Sequence, residues 1–345
     1  MAYARLKYPL PAYNKAGERL RVGAPTDLDF TIAGNWRAAH AFPLIAFRTT
    51  LGKRGKNIDD RVLISQRLKR LSSVARKLNR FRHLRLRDIQ DIGGCRAVLS
   101  SSRRARRLFD KYCDGSLKHE LLWTRDYVSA PKESGYRSFH LIYAYKGNDR
   151  QIVYDDLKIE IQIRSLFQHA WATAVETVDI FTAQALKSSL GTPEWDRFFR
   201  LMSSYIALRE RTPLVPDTPT DKPGLKECIR ECAYHLRVIE RLADFRLVAE
   251  RFDKEAVFER ETAPSYFLLE VQPSKRKILV SPYKRRDLER AEEHYLATEQ
   301  EILTQQTSDD AVLVSVEKLT SLRKAYPNYY GDTDVFLTIL RDALA

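Results

Sequence analysis

The chain has 345 residues, 44% of them hydrophobic and 10% aromatic, enough apolar material for buried cores and too much for pervasive disorder. Its formal charge is +14, and residues 61–107 alone carry fifteen Lys and Arg against only Asp88 and Asp91, an electrostatic footprint for polyphosphates or nucleic acid. No run approaches the roughly 20 apolar residues of a membrane helix and the first residues hold no signal-peptide core, so a cytoplasmic protein with no membrane partner is expected.

In chain order, Leu68, Leu71, Ala75, Leu78 and Phe81 recur at helical spacing, and Lys69, Ser73, Arg76, Lys77 and Arg80 share another face of the helix they predict. Cys95–Leu99, Leu141–Tyr145 and Lys158–Arg164 read as strands. In the last, Ile159, Ile161 and Ile163 point one way while Glu160, Gln162 and Arg164 point the other, and a polar face on a core strand is a wall for an active site. Leu166–Leu186 returns to a helical pattern, with Trp171 read as core.

Residues 211–223 hold four prolines in thirteen positions and read as a linker between 1–210 and 224–345. Beyond it, Leu236–Val257 predicts a charged helix, Tyr266–Val271 and Lys277–Val280 a hairpin, Arg286–Gln305 a helix, Ala311–Val316 a strand and Glu317–Ala325 a short helix. From 299 to 345 there are eight acidic residues against four basic ones, a charge opposite to that of the basic segment. Cys228, Cys232 and His235 fall on one helix face as three possible metal ligands, but no fourth accompanies them, so structural zinc is not the favoured reading.

RxKxxxSxxxK at Arg67, Lys69, Ser73 and Lys77, DIGGCR at 91–96, PKESGYRSFH at 131–140 and EIQIR at 160–164 follow one another in order. Together they resemble the RelA/SpoT nucleotide pyrophosphokinase domain. The resemblance implies an α+β fold, a mixed β-sheet flanked by helices, and transfer of pyrophosphate from ATP to a ribose 3′-hydroxyl with Mg2+. Asp91 and Glu160 match the metal-holding acids, Glu160 also serving as general base. Lys69, Ser73 and Lys77 match the ATP-binding helix. Arg67 and, by its distance beyond Asp91, Arg104 match arginines that sandwich adenine. Tyr136 matches a ring that stacks on the acceptor purine, with Arg125, Lys132, His140 and Gln162 as polar acceptor contacts. The chemistry suits these residue types: lysine and arginine neutralise triphosphate charge, and guanidinium planes stack on purines. One departure follows Trp171, where many members have Glu-His and this chain has ATAVETVD, with Glu176 shifted and Thr177 in place of the histidine; any catalytic role there is put in doubt.

No hydrolase signature is visible, and about 60 residues precede the basic helix, so the chain reads as a synthetase domain with an appendage. Ala311–Val316 and the YxxY of Tyr326 and Tyr329 resemble the C-terminal segment of CapRel proteins, toxic small alarmone synthetases fused to their antitoxin. That resemblance implies a small C-terminal α/β domain shaped like a zinc finger without its ligands. It also implies autoinhibition by Tyr326 and Tyr329 over the ATP side, pyrophosphorylation of the 3′-terminal adenosine of tRNA, and activation by a phage protein such as the major capsid protein. Two alternatives stand beside this reading: a synthetase of guanosine tetra- and pentaphosphate from ATP and GDP or GTP, and an RNA-binding regulator without catalysis.

Overall fold

Strict alternation in KIEIQIRS buries Ile159, Ile161 and Ile163 on one side of a strand and turns Glu160 and Gln162 to the other. The computed structural model describes residues 3–185, 192–243, 266–272, 277–305, 307, 309–315 and 333–345, and sets this strand within an eight-stranded sheet. The strands are β1 (Leu63–Leu68), β2 (Gly93–Leu99), β3 (Glu120–Asp126), β4 (Phe139–Ala144), β5 (Lys158–Ser165), β6 (Tyr266–Gln272), β7 (Lys277–Tyr283) and β8 (Asp310–Ser315). Their spatial order is β3-β4-β5-β2-β1-β8-β6-β7; β2 and β5 run parallel and the other pairs antiparallel. With helices on its faces, this mixed sheet is the α+β class expected from the sequence.

The helices that position the site are α1 (Leu10–Val22), α2 (Asp27–Ala39), α3 (Ala41–Lys56), α4 (Leu71–Arg80), α5 (Ser102–Cys113), α6 (Leu166–Ala185), α7 (Thr192–Glu210), α8 (Lys222–Leu236), α9 (Leu288–Gln305) and α10 (Asp334–Leu344). Phe47 and Leu51 of α3, with Leu108, Phe109 and Tyr112 of α5, pack against Cys95, Ala97, Tyr143 and the three isoleucines of β5 in one buried cluster. At roughly 1.5–3 kcal/mol for each large side chain removed from water, this layer fixes which sheet face is covered. The opposite face, carrying Arg67, Arg96, His140, Glu160 and Gln162, is the polar one. A second cluster joins α6, α7, α8 and α10 through Trp171, Phe198, Phe199, Phe336 and Leu340. A third packs Ala291 and Tyr295 of α9 on Leu268 and Leu313.

The C-terminal strands extend the sheet of the N-terminal half, because β8 pairs with β1 at Arg67 and Val314. Near that junction the helix expected from Leu68 begins only at Leu71, and Leu63–Leu68 is a strand. Arg67 therefore stands on β1, and Lys69 lies in the connection to α4 rather than on the helix. The segment 211–221 is packed: Val215 is buried, Arg137 donates to the Pro213 carbonyl at 2.7 Å and Arg200 to that of Pro216 at 2.9 Å. Pro223 sits in the first turn of α8, where its missing N–H costs nothing. The helix expected at Leu236–Val257 is instead preceded by α8, which ends at Arg237 in a left-handed conformation with φ of 49°; residues 238–243 resume the helix, and the remainder lies outside the described residues. The turn at 273–276, Glu317–Ala325, Tyr326 and Tyr329 also lie outside them. Among the described residues, no helix is long and apolar enough to cross a membrane.

Candidate active site

Strand register assembles the polar face. Parallel pairing sets Gly94 beside Glu160 and Arg96 beside Gln162; β1 adds Arg67 opposite Gly94, and β4 adds His140 opposite Gln162. All five functional side chains project from one face, since directly paired residues of neighbouring strands share a face and positions 94 and 96, like 160 and 162, are two apart. Gly94 leaves the floor bare between Arg67 and Glu160: Glu160 Oε2 stands 4.0 Å from where a Cβ would be. The result is a cleft of about 200 Å³ whose lining includes Arg67, Asp91, Arg96, His140, Glu160, Gln162 and Glu176.

Two carboxylates occupy this cleft with different company. Asp91, just before β2, accepts from Lys69 Nζ at 2.6 Å through Oδ2 and from Lys77 Nζ at 2.8 Å through Oδ1. Burial alone would raise its pKa, but the two ammonium groups pull it down to about 2. Lys69 is itself lowered, chiefly by burial and further by Arg67 and Lys77, with Asp91 opposing. Ser73 lies one turn before Lys77 on α4 and accepts from Arg76 at 3.3 Å.

Glu160 is held by a different set of partners. His140 Nδ1 lies 2.8 Å from Glu160 Oε1, and Gln162 Nε2 donates to Oε2 at 2.8 Å. Burial works to raise this carboxyl, yet the His140 hydrogen bond keeps it below the ordinary range. The chain of bonds continues outward: Tyr136 Oη is 2.8 Å from His140 Nε2, and Arg164 donates to that hydroxyl at 2.7 Å and to Gln162 Oε1 at 3.1 Å. Since a carboxylate can only accept, His140 donates to Glu160 through Nδ1, and the Tyr136 hydroxyl accepts from Arg164 while bonding His140 Nε2. Gly135, at φ of 88°, gives Tyr136 its backbone path; a Cβ there would stand 2.9 Å from Ser203 Cβ.

The remaining acceptor-side residues cluster around Tyr136. Lys132 Nζ lies 5.2 Å from its ring centre and Arg164 Cζ 5.1 Å, and Trp171 meets it edge-on. Arg125 faces His140 across β3 and β4, exposed, with its guanidinium 5.1 Å from the Trp123 ring. Thus Arg67, Asp91, His140, Glu160 and Gln162 share one cleft, Lys69 and Lys77 bind one of its acids, and Tyr136 joins through His140.

Arg104 does not join them. It follows the far end of β2, where it bonds Ser100 and lies 3.8 Å from Asp59. β2 carries the chain away from Gly94 before Arg104 is reached, so spacing beyond Asp91 does not bring it to the cleft. The second arginine of the cleft is Arg96, on β2 beside Arg67, with its Nε buried and unpartnered; burial first, then Arg164, lowers it to about 10. Strand alternation through Gly94 and Arg96 was the signal for it. Glu176, discounted from the sequence, also reaches the cleft, and so does the positioning influence of Arg164, which is 3% exposed.

Two acids among lysines and arginines on one face of the mixed sheet make a donor and acceptor set whose chemistry suits phosphate groups. Residues 66–179 match the profile of the region found in RelA / SpoT proteins. Among solved structures, the chain is similar to small alarmone synthetase 1 from Bacillus subtilis bound to pppGpp, at 20% identity over 59% of this chain and 91% of that one, with a TM-score of 0.39. It is also similar to small alarmone synthetase 2 from Bacillus subtilis (22% identity, 51% and 91% covered, TM-score 0.42). A GTP pyrophosphokinase family protein from Streptococcus pneumoniae is a third (21% identity, 49% and 85% covered, TM-score 0.37). No curated protein matches the sequence.

Proposed function

We propose that this chain transfers the β,γ-pyrophosphate of ATP to the 3′-hydroxyl of the 3′-terminal adenosine of tRNA, stopping translation, and that residues 224–345 restrain it until a phage protein binds them. The observation that carries the catalytic part is the unequal pair in one cleft: Asp91 clamped by two lysines, Glu160 backed by a histidine. In the transfer, the acceptor oxygen attacks the β-phosphorus, the bond from that phosphorus to the oxygen bridging it to the α-phosphorus breaks, AMP leaves, and the hydroxyl proton passes to Glu160. Lys69, Lys77 and Arg67 neutralise the triphosphate, and Arg96 supplies a second flat cation beside Arg67. Asp91 and Glu160 line the same cleft and would provide two hard oxygen ligands, which fits Mg2+ shared with phosphate oxygens, whose charge it would neutralise when bound.

The tRNA reading is supported by the exposed arginines around the cleft's helix, Arg76, Arg80, Arg82 and Arg85, which a free nucleotide is too small to engage. Autoinhibition is supported by position. β8 meets β1 at Arg67, and α10 packs on α6, which contributes Glu176 to the cleft, so the described chain on both sides of residues 316–332 touches cleft-forming elements. The alternative acceptor, GDP or GTP, is favoured by the compact group of Tyr136, Lys132 and His140, which suits a single purine nucleotide.

The test uses the full chain carrying Tyr326→Ala and Tyr329→Ala, with ATP labelled at the γ-phosphate and Mg2+, offered either tRNA or GDP and GTP. Label at the tRNA 3′ end, with toxicity on expression, is the expected result. Label only in the guanine nucleotides would make the protein an alarmone synthetase. Soluble protein that labels neither, and binds RNA unchanged when Asp91 or Glu160 becomes Ala, would be a non-catalytic regulator.

A further inference from the structure

α4, the helix that presents Ser73 and Lys77 to the donor side of the cleft, has no cap of its own. Its N-cap residue is Arg70, whose side chain makes no capping hydrogen bond. The amide of Leu71, at the first helical position, donates instead to Glu299 Oε1 at 2.6 Å, from a residue 228 positions away in sequence. Glu299 is 2% exposed, and its other oxygen pairs with Arg37 of α2, which is 4% exposed and lies 4.3 Å over the Tyr295 ring. α9 is seated for this contact by close packing on α2: a Cβ on Gly34 would stand 3.0 Å from Leu296 Cδ2, and Gln300 Nε2 donates to Asp27 Oδ1 at 2.7 Å. Arg70 itself is ion-paired with Asp310 at the start of β8.

We propose that Glu299 is a positioning residue for ATP: the C-terminal half supplies, from a distant part of the same chain, the N-terminal cap of the helix that holds the triphosphate. The inference rests on the functional reading above and deepens it. An anionic oxygen at a helix start satisfies an otherwise orphaned amide and opposes the positive end of the helix dipole. Here that carboxylate is aimed by a buried arginine rather than by local sequence. Without it the first turn of α4 frays, Lys69 and Ser73 lose their fixed spacing to Lys77, and ATP must reorder the turn as it binds. Apparent affinity falls by the fraction of molecules in the ordered state. The C-terminal half is therefore a component of the donor site as well as its proposed restraint, and a partner that relieves the restraint must leave α9 in place.

Glu299→Ala alone would strand Arg37 in the core and unfold the protein by that route. The informative pair is Arg37→Met with Glu299→Leu, which removes both charges and the cap, against Arg37→Met with Glu299→Gln, which removes both charges and keeps an acceptor for the Leu71 amide. Each is made in the full chain, and two quantities are measured: hydrogen exchange in the peptide covering residues 69–78, and ATP affinity by calorimetry with Mg2+. The Leu double variant should exchange faster in that peptide and bind ATP about fivefold more weakly, with the Gln double variant near wild type. Equal ATP affinity in the two double variants, at unchanged melting temperature, overturns the inference. Wild-type protein that fails to bind ATP at all overturns the functional reading beneath it, a result told apart by its appearance before any substitution.

Discussion

Tyr136→Phe separates the ring of this residue from its hydroxyl. The ring contacts survive, and with them any stacking on a purine, while the hydroxyl's two bonds to Arg164 and His140 are lost. Arg164 already has Nε and Nη1 buried without partners, so a further lost bond to this charged group in the interior should cost about 2 kcal/mol. His140 loses the hydroxyl that fixes its ring from the side opposite Glu160, which weakens its bond to that carboxylate. The Glu160 carboxyl is held below the ordinary range in the native protein, so weakening that bond lets it rise. A base must be ionised to accept a proton, so the acid limb of kcat/KM against pH should move upward, by less than about one pH unit for a loss near 1 kcal/mol. Urea denaturation and a pH–rate profile read the two effects. Stability within about 0.5 kcal/mol of wild type together with an unmoved acid limb would refute the hydrogen-bond chain as a working unit.

Arg96→Ala should raise KM for ATP about tenfold or more with little change in KM for the acceptor, and Arg96→Lys should not restore it, because an ammonium cannot stack as a guanidinium does; Arg104→Ala, measured in the same assay, should leave both constants within about twofold. Asp91→Asn should abolish transfer and also lower stability. Because the native carboxyl sits near 2 against an ordinary 3.8, its charge stabilises the fold by about 2 kcal/mol above pH 4, a contribution lost as pH falls through 2. The stability gap between wild type and Asp91→Asn, followed by denaturation at descending pH, should therefore close in acid; a gap that persists at pH 2 would contradict the lysine clamp.

What was legible in the sequence followed from clean periodicity. β5 alternates without interruption because one side is core and the other is cleft, so Glu160 and Gln162 could be assigned to one face in advance. β1 was missed because neither of its faces is uniformly apolar: Gln66 and Ser65 are buried polar residues, and Arg67 opens onto the cleft. The helical spacing starting at Leu68 then absorbed its end. The three N-terminal helices went unread although they supply Tyr13, Phe30, Trp36 and Phe47 to the core. One clear signal was present there, since Thr26 and Asp29 form a capping box at the start of α2. Arg96 lies inside the DIGGCR motif two residues beyond Gly94, where strand alternation puts it on the cleft face while spacing beyond Asp91 points to Arg104; Glu176 reaches the cleft because of where α6 points, which motif alignment does not show. No local pattern could have revealed Glu299 over the start of α4, since its meaning depends on a fold that closes across more than two hundred residues.

The seam between β1 and β8 has a consequence for how the chain is made. β1 is complete early in synthesis, whereas β8 emerges about 250 residues later. At roughly 5–20 residues per second the ribosome takes on the order of 10 to 50 seconds to deliver it. Through that interval the nascent protein carries a bare strand edge, a template for pairing with a neighbouring copy on the same message.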